Sequence, residues 1–361
     1  MERDDSIALL GLNAVPGLGP GKLLQLLSGL GSPSAVVQAS PSCLLELGGR
    51  VEAWSGEQIW QEGRAQWLTL RELGAQVMLT TQDQQPSEWN HLAHLRCGYP
   101  PPVVIYRGNA DCILQPVLRI AVVGSRACTP YGREQAYRLG AGLAAAGVVV
   151  VSGAARGIDQ AAMRGALSVG GRVVAVLGSG IDRPYPTDAR AMLDAIVEEE
   201  GCVLTEFGCN SMVARGNFPR RNRLIAALAK GTVVVEAGPK SGSMNTVDWC
   251  NQLGREVFAV PGPVNGICSR GPHQLLRDGA NFAENSQDVL AQFELCTPKE
   301  VMAAGGPVLE VLQRGDLSLE ALAHELGRSP DDLLPELMEL EIEGKLIRLS
   351  GGYYHRLGPA C

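Results

Sequence analysis

The chain is short of several things, and each shortage excludes something. No stretch reaches the roughly 18 uninterrupted apolar residues of a membrane span, so no membrane partner is expected. The N-terminus, "MERDDSIALLGLN", begins acidic and lacks the basic region and cleavage site of a secretory signal, which points to the cytoplasm. None of the ten cysteines has CxxC spacing, the nearest pair being Cys202 and Cys209, and this excludes a zinc ribbon. A cytoplasmic location also argues against a disulfide frame. His91, His94 and Cys97 form an HxxHxxC cluster, but no second cluster is present to close a tetrahedral site, so no metal is expected. The most informative absence is local. From Phe207 to Val235 there is no Asp or Glu, while five cations (Arg215, Arg220, Arg221, Arg223 and Lys230) fall there. The whole chain has 38 acids against 31 bases and a formal charge of -7. An acidic protein has cleared its carboxylates from one segment.

A length of 361 residues suggests two or three domains. Three regimes are visible: a Leu-rich helical stretch over 1–75, alternating β-branched and helical runs over 76–292, and a short acidic helical stretch over 298–361. No internal repeat or low-complexity tract interrupts them. The middle regime holds "RIAVVGS", "GVVVVSGA", "RVVAVLGSG", "CVLTEF", "GTVVVEAG" and "EVFAVPG", separated by helical runs. Near-continuous Val, Ile and Ala strands are expected when helices cover both sheet faces. The expected fold is therefore α/β, a doubly wound parallel sheet.

In such a sheet, ligands sit outside the carboxyl ends of the strands. Those ends here are Gly- and Ser-rich: Ser125 and Arg126 after the first strand, Ser152 and Gly153 after the second, Gly178 and Gly180 after the third, and Ser241 in "EAGPKSGS". Glycine lets a backbone approach a ligand closely, and the helix N-termini that follow offer N–H groups to an anion. Tight βα turns are the plain alternative for any one loop, and it weakens when five loops share the character. Neither nucleotide motif holds. "GSGIDR" has Arg183 where the dinucleotide fingerprint needs its third glycine, and "GLGPGKL" has Pro16 and Leu23 at the defining P-loop positions.

Arg220, Arg221 and Arg223 open the helix before "GTVVVEAG", next to Phe218. Guanidinium forks match phosphates, and an aromatic ring stacks on bases. The alternative is a solvated basic helix face with Phe218 in the core. Cations at a helix N-terminus oppose its dipole, so a structural helix would favour acids there. An anionic partner accounts for the choice. Catalytic constellations are weak. Asp159, Asp182, Glu206 and Glu236 lie near strand ends, only His273 of the five histidines falls near the rim, and Ser152 and Ser241 have no evident base. No catalytic residue and no cofactor are assigned.

The motifs "VVGSRACTPYG", "SGAARGID", "LGSGIDRPYP", "FPRRNRLIAAL", "VVEAGPKSGSMNT" and "VFAVPGPV…RDGA", with "YPPPVVIYRGN" upstream, resemble the DNA-processing protein A (DprA/Smf) family, in order over roughly 100–290. The resemblance implies an extended Rossmann-like fold that binds single-stranded DNA without sequence preference. It also implies homodimerisation, delivery of the strand to the RecA recombinase in natural transformation, and contacts with other competence or single-strand-binding proteins. It implies no enzymatic activity. Carried over motif by motif, the DNA-binding positions are Ser125, Arg126, Ser152, Gly153, Phe218, Arg220, Arg221, Arg223 and Ser241, with Gly178 and Gly180 as backbone contacts. Asp159 is expected to hold a loop instead. The chain departs from the family pattern in "SGSMNTVDWC" and at Pro272-His273, where Thr-Asn is usual. An enzyme acting on a nucleotide or nucleoside monophosphate is the rival, with Glu206 or Glu236 as its acid or base.

The flanks fit the same family. "LNAVPGLGPGKLLQLLSGLGS" resembles its N-terminal SAM-like or helix-hairpin-helix module, and the last regime resembles a winged helix. The third helix of that last regime carries Asp331, Asp332, Glu336, Glu339, Glu341 and Glu343 without a Lys or Arg, and residues 301–361 hold ten acids against five Lys and Arg. Such a surface repels a duplex. A protein partner or an internal contact with the basic rim is expected there.

Overall fold

The Val- and Ile-rich runs at the centre of the sheet become strands buried along their whole length. In the computed structural model, residues 3–46, 55–80, 85–95, 99–211, 213–239, 241–293, 306–312, 315–342, 345–349 and 352–356 are described. Cys97 and Glu343, named above, lie outside them. The chain divides into two compact units, residues 1–296 and 297–361.

The first unit is built on a nine-stranded sheet. Its strands are β1 (Gln76–Leu79), β2 (Val103–Gly108), β3 (Arg119–Val123), β4 (Val149–Ser152), β5 (Val173–Val176), β6 (Cys202–Thr205), β7 (Gly231–Val234), β8 (Glu256–Ala259) and β9 (Asn281–Phe282). They lie in the order β1-β2-β6-β5-β4-β3-β7-β8-β9. From β6 to β9 every pairing is parallel. At the other edge β2 runs antiparallel to both β1 and β6. The sheet is thus mixed, with a parallel Rossmann-like centre extended at one edge by the reversed strand β2 and by β1, which again runs in the direction of the centre. Alternate residues feed the two faces. Ile120, Val122 and Val150 enter one core, and Ala121, Val123, Val149 and Val151 the other.

The order also locates a crevice. The chain builds outward from β3 to β4 and β5, then returns to lay β7 on the other side of β3 and continues to β8 and β9. The carboxyl ends of β3 and β7 therefore flank the point where the winding reverses, the usual ligand position in an open α/β sheet.

The N-terminal helices share a core with this sheet, Leu9, Leu10 and Leu12 joining Ile105 and Ile120. Helix Arg3–Ala14 meets helix Gly56–Glu72 backbone to backbone at Gly11 and Gly63, where a Cβ would run into the carbonyls of Ile59 and Ile7. The second unit packs helices Gly306–Val311, Leu319–Leu326 and Pro330–Ile342 with a small sheet, β10 (Leu317–Ser318), β11 (Leu346–Arg348) and β12 (Tyr353–Arg356), β12 in the middle. Its core includes Leu309, Leu322, Leu333, Leu337, Leu346 and Tyr354. Within "KLIRLSGGYYHRL", β11 and β12 pair antiparallel. Among the described residues, no helix is long and apolar enough to cross a membrane.

Candidate nucleic-acid interface

β3 and β7 end side by side, Val123 opposite Val234. Just beyond, the chain after β3 passes so close to β7 that a Cβ on Gly124 would lie 2.7 Å from the carbonyl of Glu236. That crossing opens a cavity of about 890 Å³. Its walls come from Ser125 and Arg126 after β3, Asp159 after β4, Tyr185 after β5, the helix Asn217–Leu228, and Ser241 with Ser243 at the start of the next helix. The charged residues on the wall are Arg126, Arg215, Arg221 and Asp159, three cations to one acid. The field inside favours an anion.

The three arginines are held differently. Arg126 is exposed, and its guanidinium lies 4.9 Å over the ring of Phe218. Arg215 is exposed on the loop before the helix, and among the described residues neither it nor Arg126 forms an ion pair. Arg221 is buried. Its Nη1 donates to the carbonyl of Gly153 at 2.8 Å and to that of Val176, and its Nε donates to Asn222 Oδ1 at 3.2 Å. Burial lowers its pKa to about 10 despite the opposing pull of Asp159, so it remains charged at neutral pH. Asp159 accepts from the backbone N–H groups of Gly153 at 3.1 Å and Ala155 at 3.4 Å, which is loop holding. Burial pushes its carboxyl above the ordinary value, with Arg221 pulling the other way.

The glycines and serines divide in the same manner. A Cβ on Gly153 would meet Arg221 Nη2 at 2.5 Å, and one on Gly178 would meet Phe218 Cδ1 at 2.8 Å, so these glycines admit the side chains that line the cavity. Gly180 is absent from the wall; a Cβ there would strike Asp182 and the carbonyl of Gly208. Ser152 is fully buried and donates through Oγ to the carbonyl of Val122 at 2.6 Å, tying β4 to β3. Ser125 and Ser241 do line the cavity, Ser241 also capping its helix by accepting from Ser243 N–H.

Arg220 and Arg223 face away from the cavity. Arg223 pairs with Glu206 at 2.6 and 2.8 Å and donates to the carbonyl of Tyr99 at 3.1 Å. Arg220 reaches the same carboxylate at 2.9 Å and lies over Phe207. Asn13 of the first helix donates to the Glu206 carbonyl at 3.2 Å. Burial pushes Glu206 up, but Arg223 and Arg220 outweigh it and hold the carboxyl below its ordinary value. Glu236 accepts from Thr129 N–H at 2.8 Å and Thr129 Oγ at 2.6 Å. Both carboxylates that the nucleotide-enzyme reading needs are thus buried and engaged by partners. His273 points to the carbonyl of Gly262 at 3.0 Å and is absent from the cavity wall. Among the described residues no cluster of potential metal ligands occurs.

Sequence reasoning missed Tyr185 and left Arg215 out of the site. Tyr185 is 43% exposed on the cavity wall, with its ring 5.7 Å from that of Phe218. The available signal was an aromatic residue between two prolines in a strand-end loop, "RPYP".

The family model for DNA recombination-mediator protein A matches residues 76–294, more than half of the chain. The chain belongs to this family. A second model, the DprA winged helix domain, matches residues 297–352. A putative DNA processing protein DprA from Mycobacterium tuberculosis is 41% identical over 261 residues, 69% of this chain and 67% of the relative. Among solved structures, DNA processing protein A from Streptococcus pneumoniae matches with a TM-score of 0.64 at 29% identity, over 82% of this chain and 99% of that one. DNA processing protein A from Helicobacter pylori, described for its single-stranded DNA binding mode, matches with a TM-score of 0.53 at 28% identity, over 61% of this chain and 95% of that one. The DprA fold and the winged helix of the resemblance are therefore features of this chain.

Proposed function

We propose that this DprA family member binds single-stranded DNA without sequence preference in the cavity at the β3–β7 crossing, and delivers the strand to the RecA recombinase. The carrying observation is the wall itself: Arg126, Arg215 and Arg221 against one buried aspartate, with Phe218 and Tyr185 as aromatic surface. Cations that engage phosphates and rings that engage any base give affinity without sequence readout. The related H. pylori protein, described for its single-stranded DNA binding mode, supports the ligand class. Function as a homodimer and RecA as recipient belong to the same proposal and rest on the family resemblance alone.

In this reading Arg126 and Arg215 supply exposed phosphate contacts, while the buried Arg221 supplies a fixed positive charge. Ser125 and Ser241 complete the wall, while Gly153 and Gly178 are absent from it and make room for Arg221 and Phe218. Arg223, Arg220, Ser152 and Gly180 hold the scaffold and do not touch the strand.

The test is fluorescence anisotropy with labelled oligothymidine of about 30 nucleotides, challenged by unlabelled duplex or by unlabelled single strands of other sequence. Tight binding that single strands of any sequence displace and duplex does not supports the reading. Equal competition by duplex overturns it. Stimulation of RecA filament formation on the same strand tests the delivery step.

A further inference from the structure

We infer that Tyr185 is a base-stacking residue of the cavity, presenting the free aromatic face on which a nucleobase lies while Arg126 and Arg215 hold the adjacent phosphates. This rests on the single-strand reading above and assigns a residue to it. The Phe218 ring has little open surface. The Arg126 guanidinium covers it at 4.9 Å, the Gly178 backbone abuts its Cδ1 edge, and Tyr185 leans on it at 5.7 Å with an interplanar angle of 55°. Phe218 is half-buried, whereas Tyr185 is 43% exposed.

Tyr185 is also held ready. Its N–H donates to Ser179 Oγ at 3.1 Å, and Ser179 is fully buried, with its carbonyl accepting from Thr205 Oγ at 2.8 Å. Pro184 and Pro186 on either side restrict the backbone further. A ring fixed in place loses little entropy when a base settles on it. Its hydroxyl has no hydrogen-bond partner among the described residues, so what the site presents is the ring. A residue that only buttressed Phe218 would not leave such a face open to the cavity.

The experiment uses the full-length protein and two strands of equal length, oligothymidine and an abasic deoxyribose-phosphate strand. Stacking of one base is worth roughly 1–3 kcal/mol, so Tyr185→Ala is expected to weaken oligothymidine binding about tenfold. Abasic binding should stay within about twofold, and Tyr185→Phe should bind both strands as the wild type does. Equal loss for both strands, or no loss for either, overturns the assignment. Because Tyr185→Ala also removes a neighbour of Phe218, photocrosslinking of the wild type to a 5-iododeoxyuridine strand provides a second readout. An adduct on the peptide containing Tyr185 supports the assignment, and adducts only elsewhere overturn it. Wild-type binding that depends on Arg126 but not on Tyr185 defeats this inference alone. Failure of the wild type to bind either strand defeats the groove reading and this inference with it.

Discussion

The helix Asn217–Leu228 has two sides that begin with the same residue type and end with opposite tasks. On the cavity side, Phe218 and Arg221 meet the glycine loops after β4 and β5, and Arg126 and Arg215 join them without ion-pair partners among the described residues. On the far side, Arg220 and Arg223 converge on Glu206, which is 1% exposed. The difference teaches that a run of arginines cleared of local acids need not be a binding surface throughout. The acid that neutralises Arg223 comes from the loop after β6, one residue before the acid-free segment begins. A charge count along the sequence sees the segment, but only the fold sees the partner.

The largest expected effect lies on the paired side. Arg223→Ala leaves Glu206 buried with Arg220 as its remaining cation, and removing one member of a buried pair costs about 3 kcal/mol or more. Urea or thermal unfolding measures it; a loss under about 1 kcal/mol would mean the pair behaves as a surface one. The same side has a pH signature. Glu206 sits below its ordinary 4.5 in the folded protein, because the two guanidiniums outweigh burial. Its contribution is therefore fully present above that ordinary value and is lost as pH falls through the folded one. Glu206→Gln is expected to flatten that part of the acid limb of a stability–pH curve.

Next in size is the cavity side. Arg126→Ala with Arg215→Ala is expected to weaken single-strand binding about tenfold or more at low salt, with unfolding unchanged within about 0.5 kcal/mol. A smaller loss, several-fold, is expected for Gly178→Ala, since the added methyl displaces the Phe218 ring without adding or removing charge. The smallest is expected from removing residues 297–361. The third helix there carries Asp331, Asp332, Glu336, Glu339 and Glu341 with no Lys or Arg, so single-strand affinity should stay within about twofold. A severalfold loss at fixed salt would give the winged helix a DNA role that its charge argues against.

Much of the fold was legible because its signals are local. Continuous Val and Ile runs marked β3 to β8, and Gly-rich loops marked their carboxyl ends. The reversed direction of β2 was not legible, since an apolar run such as "VVIY" reads the same in either orientation. The site was legible as a region but not residue by residue. The structure places Phe218 and Arg126, both read as DNA-binding positions, on the cavity wall, and Asp159 holds the loop after β4. Ser152 and Arg223 lie off the wall for reasons that involve residues distant in sequence, Val122 and Glu206. Tyr185 joins the site only because the loop after β5 folds against the arginine helix, which no spacing rule encodes.

The exposed arginines of the cavity, without ion-pair partners among the described residues, are the groups expected to meet the phosphates of a single strand, and the cations on Glu206 are not. The direct measurement is the salt dependence of oligothymidine binding for wild type, for Arg126→Ala with Arg215→Ala, and for Arg220→Ala. The wild type should show a log–log slope of roughly -2 to -3.5, since each phosphate neutralised on a single strand contributes about 0.7. The cavity double variant should be shallower by about 1.4, and Arg220→Ala should keep the wild-type slope. A slope unchanged by the cavity substitutions, or flattened by Arg220→Ala, would place the phosphates on the other side of the helix and contradict the account.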